Sequence, residues 1–131
     1  MAKTRETPSA TVRVLTVDDQ AVFRRAVGDL LAATPGFEEV GQAASGAEAL
    51  ELADALHPDL VLLDVRMDGM DGLETARRLV ASGCGAVVVL ISLNDVPEAT
   101  SAVAGGVAAH VRKQHLSTRT LRELWDAHGR N

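Results

Sequence analysis

A parallel, doubly wound α/β sheet is the fold class that this chain predicts, and three observations carry the prediction. Short, β-branched apolar runs occur five times, each followed by a stretch that suits a helix. That alternation builds a parallel sheet through right-handed crossovers. One run, Leu60–Leu63, is apolar at every position, as in a strand covered on both faces. Finally, 131 residues, 47% hydrophobic and 24% charged, suit one soluble domain around one core.

The elements follow in order. Val12–Val17 is the first strand, β1. Gln20–Ala33 is helix α1, with Val22, Ala26, Val27, Leu30 and Leu31 as its apolar stripe and Pro35-Gly36 as its stop. Phe37–Ala43, less hydrophobic, reads as strand β2 near a sheet edge. Ser45-Gly46-Ala47-Glu48 has capping-box spacing and opens α2, which runs to about Leu56 before His57-Pro58. Leu60–Leu63 is β3, and a loop with two glycines spans Met67–Gly72. Leu73–Ser82 is α3, and Ala86–Ile91 is β4, the most hydrophobic strand. A short α4 runs from about Pro97 to Ala104; with Thr100, Ser101 and small residues but no Leu, it is the least stable helix. Val107–Val111 is β5. Ser117–His128 is α5, with Leu121, Leu124 and Trp125 on one face. Residues 1–11 and 129–131 read as tails around one domain, 12–128.

Composition excludes several functions. The longest apolar runs are far too short for a membrane span, and Met1–Thr11 is polar, without a secretory pattern. One cysteine, Cys84, permits no intramolecular disulfide and fits a reducing cytoplasm. A net charge of −5 makes direct nucleic-acid binding by this domain a poor expectation. A strand ending in Asp18-Asp19 lacks the glycines of a phosphate-binding loop, which argues against a dinucleotide or flavin site.

Five polar residues stand where apolar runs give way to turns: Asp18 and Asp19 after β1, Asp64 after β3, Ser92 after β4 and Lys113 after β5. In a parallel sheet they converge at the carboxyl edge, where open α/β sheets place their ligands. Three carboxylates beside one ammonium suit a hard divalent cation, which takes one or two carboxylates together with phosphate oxygens. The remaining carboxylate can serve as a nucleophile toward phosphorus. A lysine and a serine hydroxyl can hold the product's oxygens. Asp18 or Asp71 taken alone reads as an ordinary turn residue, and Ser92 alone as a cap.

The stretches Val17-Asp18-Asp19-Gln20, Leu62–Gly72, Ile91-Ser92 and Val111-Arg112-Lys113 resemble the receiver domain of bacterial response regulators. Pro35–Gly41 and His57–Val61 resemble its NarL/LuxR-type subgroup. The resemblance covers residues 12–128 and implies a flavodoxin-like (βα)5 sandwich, with helices on both faces of a sheet ordered 2-1-3-4-5. It implies Asp64 as acceptor of a phosphoryl group from a histidine kinase, and Mg2+, with Mn2+ as an alternative, on Asp19, Asp64 and the Arg66 backbone carbonyl. Asp18 would act largely through water. Ser92 and Lys113 would hold the phosphoryl oxygens, and Ser92 with His110 would switch an α4-β5-α5 surface for output or homodimerisation. Such a domain catalyses only its own phosphorylation and dephosphorylation, in the cytoplasm, and in this subgroup commonly precedes a DNA-binding domain.

Four residues depart from that pattern: Asp68 for proline, Leu93 for a small residue, His110 for Tyr or Phe, and Gln114 for proline. His110 reads equally well as a partly exposed histidine on an edge strand. As a switch it introduces a side-chain type that changes charge near neutrality. Two other readings compete. A haloacid-dehalogenase-type phosphotransferase needs a second aspartate where Arg66 stands. A phosphorylation-independent interaction module keeps the fold without the chemistry. Arg24-Arg25 and Arg77-Arg78 read as solvated helix faces, with a kinase contact as the alternative for the first pair. Trp125 reads as core, with a dimer or partner contact as the alternative, and Cys84 as a small, inert side chain, buried or half-buried.

Overall fold

The computed structural model describes residues 11–67 and 71–129. The tails expected at 1–11 and 129–131 thus lie outside the description save for Thr11 and Gly129, as does Asp68. Five strands, β1 (Val12–Val17), β2 (Phe37–Ala43), β3 (Leu60–Asp64), β4 (Val87–Ser92) and β5 (Ala109–Arg112), form one parallel sheet. Its order is β2-β1-β3-β4-β5, the expected 2-1-3-4-5. Five helices alternate with them: α1 (Ala21–Ala32), α2 (Gly46–Leu56), α3 (Gly72–Ala81), α4 (Glu98–Ala104) and α5 (Thr118–His128). A 3-10 turn, Lys113–His115, links β5 to α5.

Pleating divides the core into two layers. Leu60 and Leu62 pack with Val27 and Leu31 of α1 and Leu121 and Leu124 of α5. Val61 and Leu63 point the other way, into Ala49 and Ala53 of α2 and Ala76 and Leu79 of α3. That is why β3 is apolar throughout: every residue of Leu60–Asp64 is buried. Removing most of one such side chain, as in Leu63→Ala, typically costs about 2–5 kcal/mol.

Caps fix the helix starts. Ser45 Oγ accepts from the Glu48 N–H at 3.2 Å, while Glu48 Oε1 accepts from the Ala44 N–H at 2.7 Å, one residue before the position a strict capping box uses. Asp71 caps α3 through the Glu74 N–H at 2.8 Å, and Ser117 caps α5 through Thr120 at 3.1 Å.

Three expectations need correction. Val22 and Ala26 are not on the buried stripe of α1 but exposed, Val22 by 85%, and Phe23 turns inward. Strand β5 starts at Ala109 rather than Val107, because the chain turns through Gly106 at φ +119° before it joins the sheet. Arg24 is not simply solvated: its Nη1 donates to the Asp18 carbonyl at 2.6 Å. Arg77 and Arg78 do lie exposed, both paired with Glu74. Trp125 and Cys84 are half-buried, each against a core layer.

Candidate functional site

The sheet's carboxyl edge is built by register. Val17 at the end of β1 pairs with Leu63, which places Asp18 beside Asp64. Asp64 pairs with Ile91, and so stands beside the end of β4, where Ser92 follows. Ser92 in turn pairs with Arg112, one residue before Lys113. Four strand ends therefore deliver Asp18, Asp19, Asp64, Ser92 and Lys113 to one place from positions up to 95 residues apart.

One carboxylate oxygen from each of Asp18, Asp19 and Asp64 lies within 4.8 Å of the other two. Asp18 is fully buried, Asp64 nearly so, and Asp19 partly. Asp18 Oδ1 accepts from the Gln20 N–H at 2.8 Å and its Oδ2 from Lys113 Nζ at 2.8 Å. Lys113 Nζ is 3.7 Å from Asp64 Oδ2, too long for a hydrogen bond, and the ring centroid of Phe23 lies 4.1 Å from the same nitrogen. Asp64 Oδ1 accepts a long bond, 3.3 Å, from the Arg66 N–H. Arg66, whose carbonyl the resemblance implicated, is exposed at the start of the following loop.

Burial pushes the Asp64 carboxyl up to about 6. The charge of Asp18 pushes the same way, and Asp19 adds slightly; Lys113 and the Arg66 N–H pull it down without compensating. Two or three carboxylates packed this tightly share too little positive charge, so Asp64 holds its proton more firmly than an ordinary aspartic acid. A divalent cation among these oxygens would remove that repulsion, and all-oxygen donors suit Mg2+. The donor set fits the cation.

Ser92 and His110, which the resemblance pairs as switch residues, are in direct contact. His110 Nε2 lies 2.6 Å from Ser92 Oγ, and Oγ also donates to the Asn94 carbonyl. The Ser92 hydroxyl thus stands between the Asn94 carbonyl and the His110 ring. Leu93, between them in sequence, is 62% exposed. Around the rim, Arg112 Nε reaches Asp95 at 3.6 Å.

The profile of the response regulator receiver domain family matches residues 14–125. The chain belongs to that family. The receiver is 44% identical over 81 residues to a protein-glutamate methylesterase/protein-glutamine glutaminase of Nocardioides sp., covering 62% of the receiver and 22% of the relative. It is 42% identical over 89 residues to the nitrate/nitrite response regulator protein NarP of Escherichia coli, covering 67% of the receiver and 41% of NarP. The signal receiver domain of a response regulator called NarL from Mycobacterium tuberculosis superposes with a TM-score of 0.81 at 36% identity, over 89% of this chain and 95% of that one. The receiver thus spans less than half the length of these two relatives. Among the described residues, no helix is long and apolar enough to cross a membrane.

Proposed function

We propose that the receiver takes a phosphoryl group from a histidine kinase onto Asp64, with Mg2+ as cofactor and Mn2+ as a substitute. The observation that carries this reading is the meeting of Asp18, Asp19 and Asp64 within 4.8 Å, with Lys113 Nζ 2.8 Å from Asp18 and 3.7 Å from Asp64. Asp19, Asp64 and the Arg66 carbonyl hold the cation, with Asp18 helping through water. The cation neutralises charge on the transferring group when bound.

The chain's own groups do the rest. An Asp64 carboxylate oxygen attacks phosphorus; the bond from phosphorus to the donor's leaving atom breaks, and the leaving group keeps the electron pair. Lys113 pairs with the new phosphoryl oxygens by moving its ammonium from Asp18 toward Asp64. Ser92 donates to another of those oxygens, for which its hydrogen must leave the Asn94 carbonyl. His110, bonded to the same hydroxyl, carries that change to β5 and so to the α4-β5-α5 surface, the site of output or homodimerisation. The receiver catalyses only its own phosphorylation and dephosphorylation. It works in the cytoplasm and touches neither membrane nor nucleic acid itself; it acts through partner proteins alone or, as its likeness to NarP supports, as the regulatory part of a transcription regulator.

Incubation with acetyl phosphate, with and without Mg2+, followed by intact-mass measurement, tests the reading. Wild type gains one Mg2+-dependent phosphoryl group and Asp64→Asn gains none. An inert wild type with an intact fold would instead establish a phosphorylation-independent interaction module.

A further inference from the structure

Among the described residues, the Lys113 ammonium has two carboxylates and one aromatic ring beside it. Asp18 Oδ2 lies at 2.8 Å, Asp64 Oδ2 at 3.7 Å, and the Phe23 ring centroid at 4.1 Å. The lysine side chain is only 8% exposed, so little water competes with these partners. An ammonium this close to an aromatic face is held by the ring's quadrupole, and more strongly where water is scarce.

From this we infer that Phe23 is a positioning residue for phosphoryl transfer, acting through Lys113. The inference rests on the proposed phosphorylation of Asp64. A hydrogen bond to Asp18 is directional, and alone it would keep the ammonium away from Asp64. The ring's attraction is spread over its face and demands no fixed hydrogen direction. Phe23 therefore lets Nζ slide from the Asp18 oxygen toward an oxygen on Asp64 without losing its third partner. Its helix is anchored to the same strand end, since the adjacent Arg24 donates to the Asp18 carbonyl at 2.6 Å. The inward turn of Phe23 and the 85% exposure of Val22 beside it then have one cause: the ring faces the ammonium and the core together.

The test holds shape nearly constant and varies the quadrupole. Phenylalanine at position 23 is replaced by its 4-fluoro, 3,5-difluoro and pentafluoro analogues in the full chain, and the rate of Mg2+-dependent phosphorylation by acetyl phosphate is measured. The rate is expected to fall stepwise, by about three- to tenfold at the end of the series. Phe23→Tyr, which keeps the ring, is expected to retain the rate, and Phe23→Leu to lose about as much as the pentafluoro ring. In NMR spectra of the unphosphorylated protein, the Lys113 ε-methylene protons lie upfield from the ring current, and Phe23→Leu abolishes that shift. An equal rate across the fluorinated series overturns the role of Phe23 while leaving the phosphorylation of Asp64 intact. An inert wild type overturns both, and the upfield shift would then report contact alone.

Discussion

Asp64 carries a cost that the rest of the site arranges. With its carboxyl pushed up to about 6 by burial and by Asp18, it binds a proton more tightly in the folded chain than in the unfolded one. Stability on this account is highest below about pH 4, falls as pH rises from about 4 to about 6, and above that has lost up to about 3 kcal/mol. Asn at this position keeps the shape and removes the charge. In urea denaturation without divalent cation, Asp64→Asn should be more stable than wild type by about 1–3 kcal/mol at pH 7.5 and equal to it at pH 4. A wild type more stable at pH 7.5 would show that Lys113 outweighs burial. His110 acts at the same scale. Its Nε2 lies 2.6 Å from Ser92 Oγ, in a hydrogen bond that Phe cannot make. Removing that bond uncouples the hydroxyl from β5, so His110→Phe should lower the fraction of phosphorylated protein whose α4-β5-α5 surface has switched, read by NMR at one fixed pH. A fraction equal to that of wild type would remove His110 from the switch.

Elements hold these residues at working distance, and one glycine shows how tightly. Gly72 opens α3 directly against β3: a Cβ there would run into the Asp64 carbonyl oxygen and the Val65 Cα, both backbone atoms. Nothing flexible can yield, so Gly72→Ala should destabilise the fold by about 2–4 kcal/mol and displace Asp64. Denaturation midpoints and phosphorylation rates should fall together; a lower midpoint with an unchanged rate would separate packing from the site. The sequence marks Gly72 only as a loop glycine, since the clash depends on how α3 approaches the strand. Strands β3 and β4 are legible because burial on both faces leaves their apolar runs uninterrupted, and β1 because its apolar residues outweigh Arg13 and Thr16. Strand β5 is less so: Val107 is buried before the strand begins, so apolarity there overstates its start. Val22 misleads for a related reason, because helical periodicity places a stripe without saying which neighbour draws the inner face around. Asp18, Asp19, Asp64 and Lys113 can be gathered from strand ends alone. The Phe23 ring on Lys113 and the His110 bond to Ser92 cannot, since each depends on side-chain direction across elements.

At the scale of the whole molecule the site is a fastener across the sheet. Asp18 and Asp19 extend β1, Asp64 ends β3 and Lys113 follows β5, while the two core layers above and below these strands are separate. Of these contacts, the Lys113–Asp18 bond at 2.8 Å spans the widest part of the sheet, over the ends of β3 and β4. A cation held by Asp19 and Asp64 would bind only the folded chain, because the unfolded chain does not bring those carboxylates together. It would therefore stabilise the entire fold by mass action, by about 2.7 kcal/mol at a concentration one hundred times its Kd. The gain should depend on pH in the sense opposite to the cost of Asp64. Near pH 5 a protonated Asp64 competes with the cation and the gain is small, whereas at pH 7.5 the cation meets a carboxylate already ionised and repelled by Asp18. Titrating Mg2+ during thermal denaturation at the two values measures this. Wild type should gain more at pH 7.5 than at pH 5, while Asp19→Asn should gain little at either. Equal gains for the two proteins at pH 7.5 would mean that Mg2+ binds elsewhere, and the carboxylate cluster would lose its claim to the cation.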